Sequence, residues 1–194
     1  MSERRRIRLD KRGAEVEDRP AEPAEAVVGE CDCPRLDPDD WHDVENDWAD
    51  ITFVGMGTTA LLGVPVGFAG ARSGLKTRAA KLGLTVPEDA MLLLGAGKFR
   101  RQIMLEVEGA EPGQKGVDRP GGMAYTRLLP APWGEMQRVV GETKDAARIR
   151  YGKEPDELYV WYLTCRTCSQ ARQFETLIVA HYKKPPVRTD DVAR

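Results

Sequence analysis

The sequence contains very little histidine. Only His42 and His181 are present among its 194 residues. This scarcity excludes metal sites built on three histidines and zinc proteases of the H-E-x-x-H type. The chain also lacks a G-x-S-x-G segment, which excludes the nucleophile elbow of many serine hydrolases. No nucleophile–base motif of a familiar type is therefore evident.

Long apolar runs are absent as well. No stretch approaches the roughly 18 consecutive apolar residues of a membrane-spanning helix. The basic N-terminus, Met1–Arg6, is not followed by the apolar core of a secretory signal. We therefore expect a cytoplasmic protein that does not associate with membranes.

Neither sign of charge is in excess. Lys and Arg total 29 against 31 Asp and Glu, which gives a formal net charge of -2. Domains that bind nucleic acid usually have a pI above about 9, so nucleic acid is not the favoured partner. Charge is nevertheless uneven, because residues 37–50 hold seven acids and no Lys or Arg, whereas residues 71–102 are rich in Lys and Arg. This separation favours a protein partner or a second copy of the chain.

The composition divides the chain into three parts. Residues 1–30 are rich in Glu, Ala and Pro, and we expect them to form a flexible arm. Ile7 and Leu9 alternate with charged residues in that arm, so residues 6–10 could form an edge strand. Residues 31–184 are expected to form a single domain, and residues 185–194 a frayed tail.

Periodicity within this domain predicts an α+β fold with a small, mostly antiparallel sheet and two or three packed helices. The first predicted helix begins at Pro38 and continues to Ile51, because Trp41, Val44 and Trp48 recur at helical spacing. A shorter helix followed by a strand is the alternative for this segment. The other predicted helices cover residues 71–83 and 132–151. The predicted strands cover residues 90–95, 102–108, 124–129, 158–164 and 174–182.

All four cysteines occur in two close pairs, Cys31-Asp32-Cys33 and Cys165-Arg166-Thr167-Cys168. The second pair is predicted to lie between two strands, in the strand–turn–strand hairpin of a zinc knuckle. Closed structural zinc sites have four ligands, and thiolate sulfur is a favoured donor. We therefore predict that Cys31, Cys33, Cys165 and Cys168 bind one structural zinc ion, which would attach the N-terminal segment to the C-terminal hairpin.

Other interpretations of the cysteines stay open. An iron–sulfur cluster is less favoured than zinc, because clusters usually require more elaborate cysteine spacing. Cys165 and Cys168 could act alone as a redox pair, although thioredoxin-type motifs begin a helix. The cysteines could also be buried independently or joined in disulfides. If only the second pair bound metal, His42 or His181 could complete the ligand set.

Two glycine-containing segments partly match phosphate-binding motifs. Residues 55–60 read G-x-G-x-x-A, but Pro65 would interrupt the helix that a dinucleotide-binding fold requires. Residues 55–70 are therefore predicted to form a glycine-rich loop or a broken helix. Gly95-Ala96-Gly97-Lys98 lacks the spacing of a P-loop and is predicted to be a hairpin turn. Phe99 in this basic hairpin could stack on nucleic acid.

The leading functional hypothesis is a zinc-stabilised binding or accessory protein. The main alternative is a small enzyme. It would be either a metal-dependent hydrolase, with three cysteines and water on zinc and Asp32 or Glu45 as base, or a thiol redox enzyme that uses the CxxC pair. A further alternative is a nucleic-acid-associated factor that uses the basic hairpin.

Overall fold

The computed structural model describes residues 6–7, 31–61, 64–65, 68–96, 100–132 and 134–186. In chain order the elements are β1 (Arg6–Ile7), α1 (Pro38–Trp41), β2 (Val44–Asp47), β3 (Thr52–Leu61), β4 (Val64–Pro65), α2 (Phe68–Lys81), β5 (Leu92–Gly95), β6 (Arg100–Val107), β7 (Met123–Pro130), α3 (Met136–Tyr151), β8 (Glu157–Tyr162) and β9 (Glu175–Tyr182). Within these described ranges, every helix is too short or too polar to span a membrane.

The strands form one sheet in the order β1-β2-β7-β9-β8-β5-β6-β3-β4. Every strand pair in it is antiparallel. Seven longer strands make the central sheet, and the two-residue strands β1 and β4 lie at its edges. The predicted α+β class is confirmed, with three helices and an antiparallel sheet that is larger than expected.

The two faces of the sheet carry different cores. On one face, Leu75 and Ala79 of α2 pack beside β3 and β6, while Tyr151 of α3 packs beside β7 and β9. Side chains alternate between the faces of a strand, so the intervening residues contribute to the opposite face. That face holds a buried cluster that includes Trp48 and Trp161.

The segment before β7 joins the two ends of the central sheet. Phe53 of β3 exchanges two backbone hydrogen bonds with Asp118, at 2.9 and 2.8 Å. The Trp48 N–H, just after β2, donates to the Gly122 carbonyl at 2.9 Å. The segment 118–122 is therefore attached by backbone hydrogen bonds to β3 at one end and to Trp48 at the other.

The predicted helix from Pro38 to Ile51 is wrong beyond its first turn. Helix α1 ends at Trp41, and Val44–Asp47 form strand β2, which pairs with β7. Asp43 separates the two elements with a positive φ of 56°. Its carboxylate accepts hydrogen bonds from Tyr125 at 2.5 Å and from Arg127 at 3.0 Å, and both donors lie on β7. Long-range pairing with β7 thus overrides the helical spacing.

The predicted loop or broken helix over residues 55–70 is also wrong at the residues of this range that the structure describes, 55–61, 64–65 and 68–70. Residues 52–61 form β3, which pairs with β6, and α2 already begins at Phe68. The G-x-G-x-x-A match therefore lies inside a strand and cannot form the turn that cradles a phosphate. Helix α3 begins at Met136, later than the predicted Pro132.

Several predictions fall outside the described residues. These include the tip of the predicted hairpin turn and its stacking aromatic (residues 97–99), most of the tail and most of the arm. Of the arm, the structure describes Arg6 and Ile7, whose backbone pairs with β2.

Candidate metal centre and adjoining cleft

The four cysteines meet in one place. Cys31 and Cys33 precede α1, while Cys165 and Cys168 lie between β8 and β9. Their four Sγ atoms all lie within 4.8 Å of one another. None of the four forms a disulfide, and the Sγ atoms of Cys165 and Cys168 are 3.9 Å apart. A disulfide would require about 2.05 Å.

Short-range hydrogen bonds shape the turn that carries the second pair. The Ser169 N–H donates to the Cys165 carbonyl at 2.9 Å, and the Arg172 N–H donates to the Cys168 carbonyl at 3.0 Å. The Cys165 N–H points at the Cys168 Sγ, 3.4 Å away. Successive turns of this kind bring two sulfurs three residues apart to the same side.

Arg172 ties the two cysteine segments together. Its guanidinium donates to the Leu163 carbonyl at 3.0 Å and to the Pro34 carbonyl at 2.8 Å, and it pairs with the Glu175 carboxylate. Its side chain is only 10% exposed. This role was not predicted, because one arginine in a cysteine-bearing loop has no sequence pattern that distinguishes it from a solvent-exposed one.

The thiol environments are unequal. Burial, together with hydrogen bonds to the other three thiols, raises the pKa of Cys33 to about 12. The backbone N–H groups of Cys168 and Thr167 lower the pKa of Cys165 to about 6. The pKa values of two thiols in the same cluster therefore shift in opposite directions, one through burial and the other through backbone N–H donors.

The spacing suits a small, sulfur-preferring cation. Zinc–sulfur bonds of about 2.3 Å in a tetrahedron place the sulfurs about 3.8 Å apart. The 3.9 Å between Cys165 and Cys168 matches this value. The four cysteines could therefore hold a metal ion, and all four donors would be sulfur.

Neither histidine joins this group. His42 Nδ1 lies 2.7 Å from the Leu128 carbonyl, and its Nε2 lies 3.4 Å from Asp43. His181 is fully buried, stacks on Trp48 with ring centroids 5.0 Å apart, and has Nε2 2.8 Å from the Gly121 carbonyl. The contacts of both rings are thus with backbone carbonyls, Asp43 and Trp48, and neither histidine belongs to the group of four sulfurs.

A cleft of about 590 Å³ adjoins the cysteines, with Cys33 and Cys165 in its wall. Clefts between about 300 and 1,000 Å³ are the usual size for small-molecule sites. Its residues come from the segment 32–41, the start of α2, the segment 88–92 and the end of β8.

Of the two acids predicted as candidate bases, only Asp32 lines this cleft. Glu45 lies elsewhere. Its carboxylate accepts a hydrogen bond from the Tyr151 hydroxyl at 2.5 Å and lies 3.5 Å from Arg150 Nε. These contacts hold Glu45 against α3, so it is not positioned to act at the cysteines.

Two further polar pairs lie on the strands β6 and β8, and no sequence motif indicated them. Gln102 donates to Asp118 at 2.7 Å, and the Tyr159 hydroxyl donates to Glu157. A Cβ atom at Gly55 would lie 2.8 Å from the Gln102 Nε2. A glycine inside a strand signals such close approach, but it does not identify the partners.

Comparison with known proteins identifies a family for this chain. A family model described as bacterial hydrolase matches residues 24–181, which is more than half of the chain. The match includes both cysteine pairs and every wall of the cleft. No curated protein matches the sequence.

Proposed function

The chain belongs to the bacterial hydrolase family, and we propose that it is a hydrolase whose fold is stabilised by one zinc ion on Cys31, Cys33, Cys165 and Cys168. The approach of the four Sγ atoms within 4.8 Å is the observation that carries the metal site. The family favours an enzyme over the accessory role that the sequence alone favoured.

The proposed zinc is structural. Four sulfur ligands complete its tetrahedron and leave no position for a water or a substrate. It would hold the segment of Cys31 and Cys33 against the β8–β9 connection, beside the contact between Arg172 and Pro34. The same segment forms one wall of the cleft, so the metal would also maintain the shape of the proposed substrate site.

A catalytic zinc is the second candidate, because Cys33, Cys165 and Asp32 all line the cleft. In that version three cysteines and a water would bind the ion, and Asp32 would accept the proton of the water. X-ray absorption at the zinc edge separates the two. Four sulfur neighbours support the structural site, whereas three sulfurs and one lighter atom support the catalytic one.

Metal content and thermal unfolding test the proposal. We expect about one zinc per chain in the purified protein and its loss from Cys168→Ser, with a melting temperature lower by about 10 °C or more. Ser169→Ala is the control, since this neighbouring hydroxyl makes only a 3.4 Å contact with the Arg166 carbonyl. A Cys168→Ser variant that keeps its zinc and its melting temperature would contradict the metal site.

Hydrolysis needs its own assay. We expect the zinc-loaded protein to cleave at least one class among nitrophenyl esters, phosphates and glycosides. Asp32→Asn should lower turnover by no more than a few-fold if the zinc is structural, because Asp32 then contributes only its charge to the cleft wall. It should lower turnover by about 100-fold if Asp32 accepts the proton of a zinc-bound water. Absence of turnover in all three classes would count against a hydrolase.

A further inference from the structure

We infer that the cleft beside the four cysteines binds a small organic cation, such as a protonated amine that carries the bond to be hydrolysed. This inference rests on the proposed function, because it takes the cleft as the place of hydrolysis. Binding can be measured separately from turnover, so the failure of one can be told from the failure of the other.

The cleft has an apolar floor. Leu36, Leu92 and Tyr162 line it and are partly exposed. Leu36 and Leu92 pack against the core cluster of Trp41 and Trp161, two buried rings that meet edge to face with centroids 6.2 Å apart. A floor of this kind accepts the hydrocarbon part of a ligand and leaves recognition of its polar part to the walls.

The walls carry an excess of negative charge. Five carboxylates line the cleft against two guanidinium groups, with no lysine or histidine among the lining residues. The acids are Asp32, Asp37, Asp40, Glu88 and Asp89, and the bases are Arg35 and Arg72. The lining therefore has three more negative than positive charges.

Acidic residues line the cleft on both sides. On one wall three of the four aspartates of residues 32–40 line it together with one arginine, and on the other Glu88 and Asp89 lie beside Arg72. Asp37 also caps α1, where its carboxylate accepts the Asp39 N–H at 2.9 Å. Acids exceed bases on each wall, and low-dielectric walls focus such a field, so a cation is favoured over an anion between them.

The proposed zinc would add to this charge. On four thiolates a zinc ion would have a formal charge of minus two, and Cys33 and Cys165 line the cleft. The preference for a cation should consequently be stronger in the zinc-loaded protein than in the metal-free protein. The acidic residues alone should already make the cleft prefer a cation over an anion.

Three probes of similar size test the preference on the zinc-loaded protein: benzylamine, benzyl alcohol and benzoate. We expect benzylamine to bind at least about threefold more tightly than benzyl alcohol, and benzoate to bind most weakly, as followed by NMR shifts or calorimetry. The difference should shrink as salt rises from about 50 mM to about 500 mM, because ions screen exposed charges. Equal binding of the three probes, or tightest binding of benzoate, would overturn the inference.

Two double variants that each remove two negative charges show whether the cleft is responsible. Glu88→Gln with Asp89→Asn should reduce the preference for benzylamine over benzyl alcohol by about threefold. Glu142→Gln with Asp145→Asn, on the exposed side of α3, should leave it unchanged. Arg72→Gln should increase it. Equal effects of the two double variants would show that only overall charge matters, and would overturn the assignment to the cleft.

The two proposals have separate outcomes. Benzylamine preference without turnover of any substrate class, including nitrophenyl esters and anilides that carry a protonated amine, would refute the hydrolase and leave a cation-binding cleft. Turnover of neutral or anionic substrates with no preference among the probes would leave the hydrolase and refute the inference.

Discussion

Two adjacent glycines show how much depends on single atoms in this fold. Gly121 and Gly122 both have positive φ angles, +60° and +70°, just before β7. A Cβ atom at Gly122 would lie 2.0 Å from the Tyr182 carbonyl oxygen, whereas one at Gly121 would meet nothing within 4 Å. A side chain at position 122 would therefore clash with the backbone of Tyr182 and would also strain the left-handed conformation. A side chain at position 121 would only strain the conformation.

Alanine at each position should separate these effects. Gly121→Ala should lower the free energy of unfolding by about 1 kcal/mol, the cost of a left-handed residue with a Cβ atom. Gly122→Ala should lower it by at least about 3 kcal/mol, because the backbone of β9 must also move. Urea unfolding of both variants measures the difference. Equal losses of unfolding free energy would show that the close contact with the Tyr182 carbonyl does not destabilise the Gly122→Ala variant.

Arg172 acts at the same scale near the cysteines. Its fork-shaped guanidinium reaches two carbonyls and a carboxylate at once, which the single ammonium of lysine cannot match. It contacts Pro34, whose neighbour Cys33 belongs to the proposed metal site. Arg172 therefore holds the two cysteine segments together through hydrogen bonds that do not involve a metal.

At the scale of elements, the strand β2 shows where local pattern misleads. Trp41, Val44 and Trp48 are all buried, as their helical spacing predicts. Their conformation is not a continuous helix, because Trp41 ends α1, Asp43 has a left-handed backbone, and Val44 begins β2. The sequence could therefore predict which side chains are buried, but the conformation between them depends on pairing with β7, which lies far away along the chain.

The strand β3 illustrates a second error of this kind. Its glycines predict a loop, yet they lie in a strand. Position 55 of that strand has room only for glycine, because the Gln102 side chain occupies the space beside it. Helices α2 and α3 and the strands with continuous apolar runs could be predicted, since their burial is visible in short windows of sequence. Strand order could not, because it depends on contacts between distant segments.

Helix α2 offers a test of backbone propensity in isolation. Gly74 lies in its middle, and a Cβ atom added there would meet nothing within 4 Å. Gly83 follows the end of the helix with a φ of +71° and the same open space. Gly74→Ala should raise the free energy of unfolding by about 0.5–1 kcal/mol, because alanine restricts the unfolded chain and favours helix. Gly83→Ala should lower it by about 1 kcal/mol, because the left-handed C-terminal position favours glycine.

Thermal and urea unfolding of both single variants provide the measurement. Opposite signs are the expected result, since the two sites differ in conformation and share the absence of neighbours. A loss of stability in both would show that the Gly74 position needs glycine for a reason other than propensity.

At the scale of the whole molecule, distant segments are joined beside the connection of the central strands β8 and β9. Arg172 and Pro34 are 138 positions apart, and the four cysteines span a similar separation. The cysteine set could be predicted from the sequence because thiols are few and paired. The cleft beside it could not, because its walls come from separate segments that only the strand order brings together.

Buried tyrosines give the whole molecule a pH-dependent stability. Tyr125, Tyr151, Tyr159 and Tyr182 are each less than 5% exposed. Burial is the main cause that raises the pKa of all four, and it raises that of Tyr182 to about 12. Hydrogen bonds to carboxylates raise the pKa of the other three further. In the unfolded chain each hydroxyl would ionise near its ordinary value of about 10.

This difference predicts loss of stability in alkali. Below pH of about 10 the tyrosines are protonated in both states, so their contribution does not change. Above it the unfolded chain loses protons that the folded protein keeps, and the free energy of unfolding falls by about 1 kcal/mol per pH unit for each tyrosine. Urea unfolding between about pH 8 and pH 11.5 measures the slope, and Tyr151→Phe should reduce it by the share of one group. Phenolate absorbance of these four groups should rise together with unfolding. Since Tyr162 is partly exposed, ionisation of more than one tyrosine near pH 10 in a protein that remains folded would contradict the burial of the four hydroxyls.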